Sequence, residues 1–236
     1  MNAEKMDTFE VKIGKNTIRG DHFVGTSLNN CVYLHGAGKS SREYLALPRK
    51  QLQIRGIGST SFDYIGHGES DGAVSDSSLA LRSFQLDAVL ESRRLLEPLT
   101  VLGASMGAYD AIKVTQRKLV NTLVLIIPAV YTPSAYEANF GPSFSRIIRK
   151  ANSWNDSDAW KIISNYSGNL IVIAAENDAV IPREIPERLV GAAKKAQKCE
   201  LWVLPGTNHS NLFSYMFIHD KPRLNKLFDD LAFVIK

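Results

Sequence analysis

The stretch Leu99-Thr100-Val101-Leu102-Gly103-Ala104-Ser105-Met106-Gly107 decides the reading of this chain. It opens on a short apolar run of strand character, 99–102, and the residues from Met106 to Lys118 suit a helix. Between the two, residues 103–107 match G-x-S-x-G. At near-average glycine and serine usage such a match arises by chance in about one chain in ten. Its weight therefore comes from the strand before it and the helix after it. A serine on a sharp strand-to-helix turn carries its hydroxyl out of the layer, and glycines are needed where a Cβ would strike neighbouring backbone. The helix start also offers unpaired N–H groups and positive dipole potential to a developing oxyanion.

On both sides of this motif, short apolar runs alternate with longer amphipathic ones. Strands are expected at 8–13, 17–24, 31–34, 59–64, 99–102, 123–127, 170–174 and 201–204. Gly14-Lys15-Asn16 reads as a hairpin turn between the first two. Helices are expected at 40–53, 79–96, 106–118, 186–195 and 222–234, with Leu81, Phe84, Leu86 to Leu90 and Leu95 on or near one side of the second. This alternation implies βαβ units and a mostly parallel sheet, with the hairpin as an antiparallel edge. Ligands of open α/β sheets bind beyond the carboxyl ends of the strands, so chemistry is expected there.

A serine hydroxyl needs a base. Of the five histidines, His209 follows the last expected strand in Pro205-Gly206-Thr207-Asn208-His209. Taken alone it reads as a surface loop residue. His35 and His67 each precede a glycine in a tight turn and read as structural; His22 and His219 are poorly placed. The base needs an acceptor that fixes its tautomer. Asp178 lies after the 170–174 run, in Glu176-Asn177-Asp178-Ala179-Val180-Ile181-Pro182, with Glu176 as its rival. A lone aspartate before a helix is most often a cap. What selects these residues is coincidence: three groups of the required types, each just after a strand, in the order Ser, Asp, His. The oxyanion requires two backbone donors. Met106 N–H is one, and His35-Gly36-Ala37-Gly38 offers the other through Ala37, a plain glycine turn being the alternative.

Together with Asp63-Tyr64-Ile65-Gly66-His67-Gly68-Glu69-Ser70, these segments resemble the α/β-hydrolase superfamily, in particular its small carboxylesterases and monoacylglycerol-lipase-like members. The resemblance runs from about residue 8 to the end. It implies an eight-stranded sheet flanked by helices and catalysis by Ser105, Asp178 and His209. It also implies that the insertion after the sixth strand is a cap that shapes the acyl pocket. That insertion falls at 129–168, within one domain spanning 1–236, and is short by family standards. It carries Tyr131, Tyr136, Phe140, Trp154 and Trp160, expected to bind substrate, besides Phe144 and Tyr166. A structureless loop of that length would be unusual in a compact domain; a pair of ordinary core helices is the plainer alternative. Haloalkane dehalogenases carry aspartate where this chain has Ser105.

Composition sets the outer bounds. With 44% hydrophobic and 22% charged residues the chain can build a sizeable core and gives no case for disorder. A net charge of +4 is mild, and the cluster Arg183, Arg188, Lys194, Lys195 and Lys198 reads as a solvated helix face, with no nucleic-acid motif beside it. No spaced ligand cluster points to a metal or other cofactor. The longest apolar stretch, 122–130, is too short for a membrane span, and the first seven residues lack a signal-peptide core. Two cysteines, Cys31 and Cys199, both in strand-like runs, make no disulfide framework. A cytoplasmic location is the expectation. The expected function is hydrolysis of a small to medium acyl or aryl ester. Thioesters, amides and C–C bonds are open to the same three side chains. A non-catalytic ligand-binding member or a structural partner subunit are the readings from other classes.

Overall fold

The structure, a computed structural model, describes residues 6–236. The reading of the N-terminal segment as no signal peptide rests largely on residues 1–5, which lie outside the described residues.

Strands β1 (Met6–Ile13) and β2 (Asn16–Phe23) form an antiparallel hairpin whose turn needs Gly14 at φ 55°. Strands β3 (Leu28–Leu34), β4 (Ile57–Phe62), β5 (Leu99–Ala104), β6 (Val120–Ile126), β7 (Asn169–Ala175) and β8 (Lys198–Leu204) follow. The eight form one sheet in the order β1-β2-β4-β3-β5-β6-β7-β8, parallel throughout from β4 onward. The expected mostly parallel α/β-hydrolase sheet of eight strands is the one observed.

Helices α1 (Ala46–Ile54), α2 (Leu79–Ser92), α3 (Met106–Val114), α4 (Pro142–Ile148), α5 (Ala159–Asn165), α6 (Glu184–Ala192), α7 (Leu212–His219) and α8 (Lys221–Ile235) complete the chain. α2, α3, α5 and α6 cover one face of the sheet, and α1, α7 and α8 cover the other. Because side chains alternate along a strand, each central strand feeds both cores. Val101 and Leu125 enter the first, while Leu102 and Val124 enter the second. The inner strands are buried on both faces, which is why they read as continuous apolar runs.

Three local expectations change. The buried residues of α2 are Leu79, Arg82, Ser83, Gln85, Leu86, Val89 and Leu90, whereas Leu81 and Phe84 are exposed. An arginine sits in the core-facing row, so reading burial from apolarity rotated the helix. α2 also stops at Ser92, short of 96, because Arg94 takes a positive φ of 49°. Segment 40–53 divides into a 3₁₀ turn at Arg42–Leu45 and α1. α7 had no counterpart in the sequence reading: its run Leu-Phe-Ser-Tyr-Met-Phe-Ile-His has no polar stripe to mark a period.

The interval 129–168 also divides. α4 and the turn before it lie over the carboxyl end of the sheet, while α5 packs on α3 and α6 as a flanking helix of the main layer. Asp158, before α5, accepts from Tyr109 Oη and Lys113 Nζ at 2.7 Å each, tying α5 to α3. Among the described residues, no helix is long and apolar enough to cross a membrane.

Candidate active site

Ser105 lies between β5 and α3 at φ 53° and ψ −117°, a conformation rare for a residue with a side chain. Three backbone bonds hold it there. Its N–H donates to Ile126 O at 2.9 Å, and its carbonyl accepts from Ala108 N at 3.0 Å and Ala129 N at 3.1 Å. The turn closes so tightly that a Cβ on Gly103 would lie 2.2 Å from Gly107 O, and one on Gly107 would lie 2.3 Å from Leu34 O. Both glycines of the motif are therefore steric requirements of this turn.

His209 comes from the loop after β8, and Asp178 from the loop after β7. His209 Nε2 lies 3.2 Å from Ser105 Oγ, and its Nδ1 lies 2.9 Å from Asp178 Oδ2. The other aspartate oxygen accepts from Val180 N and Ile181 N at 2.9 Å each. Asp178 is thus a turn cap and the histidine's acceptor at once, since a carboxylate has lone pairs for both. Glu176 is exposed and points elsewhere: its carboxylate accepts from Gly206 N at 2.8 Å and braces the loop that carries His209. With Nδ1–H given to Asp178, Nε2 is left as an acceptor facing the serine hydroxyl. This arrangement can take a proton from Ser105 and keep the resulting imidazolium beside a carboxylate.

The loop after β3 passes directly over Ser105; a Cβ on Gly36 would lie 3.2 Å from the Ser105 Cβ. The N–H groups of Ala37 and Met106 have no protein acceptor among the described residues. His35 and His67 are buried behind this loop, with ring centroids 4.9 Å apart. Burial, and then the nearby Arg82 charge, hold His35 well below the usual imidazole value and His67 below it. Tyr64 N–H donates to His35 Nε2, so Nδ1–H donates to the Gly36 carbonyl at 2.8 Å. His22 on β2 is buried against Thr60, and His219 ends α7.

Two cavities meet at Ser105. One, of about 520 Å³, lies beneath α4 and is lined by Tyr131, Phe140, Phe144, Trp154 and Ile185, with Arg149 at its edge. The other, of about 580 Å³, runs between α1 and α7 past Tyr44, Leu47 and Phe213, with Lys39 and Asn211 on its walls. Tyr131, Phe140 and Trp154 thus stand where the sequence reading expects substrate contacts. Tyr136 and Trp160 do not. Tyr136 packs on Tyr109 and under Lys113, and Trp160 stacks with Arg188 and donates to Asn155 O. Both face the flanking helices, an outcome that aromaticity alone could not distinguish. Phe144 and Ile185 were not singled out as contacts. No cluster of metal-ligating side chains occurs among the described residues.

A family model described as serine aminopeptidase, S33, matches residues 26–156. The lysophosphatidylserine lipase ABHD12 of Danio rerio is 25% identical over 218 residues, covering 84% of this chain and 56% of its own length. Its counterpart from Xenopus tropicalis is 25% identical over 239 residues, covering 92% and 61%. The chain therefore spans 56–61% of the length of these curated relatives. Among solved structures, Est1E of Butyrivibrio proteoclasticus, with ferulic acid bound, is similar at a TM-score of 0.72 and 16% identity, over 96% of this chain and 98% of that one. An esterase of Pyrococcus furiosus, Pf2001, is similar at 0.70 and 19% identity, over 99% and 92%. At these identities the likeness is one of fold.

Proposed function

This chain belongs to the serine aminopeptidase S33 family of α/β-hydrolases, and from that premise we propose that it hydrolyses carboxylic esters through Ser105, His209 and Asp178. It is a serine hydrolase by family; an ester or lipid substrate is taken from the names of its relatives and belongs to the proposal. The identity of the three residues and of the bond cleaved is the proposal. Ser105 Oγ attacks the ester carbonyl as His209 Nε2 takes its proton, and Asp178 stabilises the imidazolium. Ala37 N–H and Met106 N–H hold the oxyanion. His209 then protonates the departing alcohol and activates the water that releases the acid. The apolar cavity beneath α4 takes the acyl or aryl group, so residues 129–168 include a cap.

The observation that carries this reading is the unbroken chain from Asp178 through His209 to Ser105, set where two carboxylate-free cavities meet. The absence of carboxylates also weighs against an aminopeptidase. A free ammonium that becomes buried needs an anion beside it, and among the described residues that line the two cavities there is no Asp or Glu, whereas Lys39 and Arg149 are cations. A second reading takes its substrate from the name of the curated relatives. In a lysophospholipid the acyl chain would fill the cap cavity and the phosphate would face Lys39. A cytoplasmic location is part of the proposal, supported by the two free cysteines.

The test is a panel of p-nitrophenyl esters of increasing chain length, a lysophospholipid and an aminoacyl arylamide. The reading predicts ester turnover with an optimum at short to medium chains. Phe144→Ala should move that optimum toward longer chains, because Phe144 is buried against the cap cavity. Turnover of the arylamide alone would contradict it.

A further inference from the structure

Arg82 is wholly buried in the first turn of α2, and its guanidinium makes contacts on both sides of the catalytic turn. Nε donates to Asp110 Oδ2 of α3 at 2.8 Å, and Asp110 is wholly buried too. Nη1 donates to the Gly36 carbonyl at 3.2 Å and lies 3.5 Å from Met106 Sδ. Nη2 donates to the His35 carbonyl. The Tyr64 ring lies 3.7 Å beneath the plane. Taking a cation out of water is expensive, and a fold that needed only stability could fill this space with apolar side chains. Leaving aside the Tyr64 ring, the four hydrogen-bonding partners belong to the two segments that present Ala37 N–H and Met106 N–H.

The peptide between Gly36 and Ala37 is the key group. In a trans peptide the N–H points opposite to the C=O. Arg82 Nη1 and His35 Nδ1 both donate to the Gly36 oxygen. With its oxygen tied to the protein interior, the peptide cannot rotate, and the Ala37 N–H is aimed away from the interior. Without that anchor a glycine-flanked loop would sample the flipped plane at little cost. The Asp110 and Met106 contacts tie the same guanidinium to α3, whose first N–H is Met106's.

Resting on the reading of Ser105 as nucleophile, we infer that Arg82 is a positioning residue that sets the two oxyanion donors against each other. It touches no substrate. Its effect belongs to the transition state, where the oxyanion forms, and not to ground-state binding.

The experiment compares wild type, Arg82→Lys and Asp110→Asn in the full chain, well below each variant's unfolding temperature. Lysine keeps the charge but cannot grip both carbonyls and Asp110 at once. Removing one oxyanion donor from a serine protease site costs about 10²–10³ in kcat. Misaiming one is therefore expected to cost Arg82→Lys about 10–100-fold in kcat, with KM for a p-nitrophenyl ester within about threefold. Asp110→Asn loosens the guanidinium without removing it and should fall between. The decisive readout is inhibition by an alkyl boronic acid, which forms a tetrahedral adduct on serine. Its affinity should drop by the same factor as kcat/KM, while binding of the corresponding carboxylic acid product is unchanged. A merely structural role would move neither ratio. Unchanged kcat and boronate affinity in folded Arg82→Lys would overturn the proposal, as would loss of fold in both variants. An inactive wild type would instead count against the serine-esterase reading itself.

Discussion

Asp178 and Glu176 are two carboxylates two residues apart, and their surroundings give them different work. Asp178 faces His209, while Glu176 is spent on the Gly206 N–H. Asp178→Asn keeps the shape but places an amide N–H or a weaker acceptor at His209 Nδ1, which disfavours the productive tautomer. A loss of about 10³–10⁴ in kcat is expected. Glu176→Gln retains a carbonyl oxygen for Gly206 N–H and should stay within about threefold of wild type. Steady-state kinetics on one ester decides it; the reverse ranking would transfer the role to Glu176. At this scale the sequence was informative because chemistry restricts residue type. Ser, Asp and His, after β5, β7 and β8, were legible as candidates. Tyr136 and Trp160 were not separable from Tyr131 and Trp154, since ring type carries no direction and only packing turned them toward the flanking helices.

The turn between β5 and α3 was legible as an element because its glycines are demanded by contacts with backbone. Gly103→Ala would drive a methyl to 2.2 Å from Gly107 O and 2.7 Å from Ala108 Cα, atoms that cannot move without shifting α3. Overpacking of this kind costs about 1–3 kcal/mol. At Gly14 nothing lies within 4 Å, and only the positive φ penalises a side chain, so Gly14→Ala should cost about 1 kcal/mol. Urea denaturation of the two variants should give the larger loss for Gly103→Ala; the opposite order would mean that the turn relaxes freely. α2 and α7 mark where element reading ran out. A helix with an arginine in its buried row, and a helix with no polar stripe, both break the rule that period reveals facing. In α2 the exception coincides with the residue argued to aim the oxyanion donors, and local rules fail most readily where function overrides them.

Over the whole molecule, two apolar cores grip the sheet, and the polar groups enclosed with them make its stability depend on pH. His35 and His67 are held below the usual imidazole value by burial and by Arg82, and His22 by burial first. In the unfolded chain all three take up protons near pH 6.5. Below that value the unfolded state binds protons that the native state refuses, so stability falls as pH falls, by up to about 1.4 kcal/mol per pH unit for each group. Above about pH 7 this contribution is fully present. Calorimetry from pH 8 to 5.5 should give a level Tm down to about 7 and a decline below it, less steep in His67→Gln. A Tm that rises on acidification through this window would contradict the buried, neutral state of these rings. The mostly parallel sheet, its antiparallel edge and the placing of the candidate site beyond its carboxyl ends were legible from alternation; the strand order was not, nor was the second cavity, because α7 forms one wall. The central claim, that Ser105 is a nucleophile activated by His209, is tested most directly by reaction with a fluorophosphonate read by intact mass and peptide mapping. One adduct on the peptide containing Ser105, absent in Ser105→Ala and strongly slowed in His209→Ala, is the predicted result. A folded wild-type protein that takes up no label, or takes it up equally with Ser105 replaced, would contradict it.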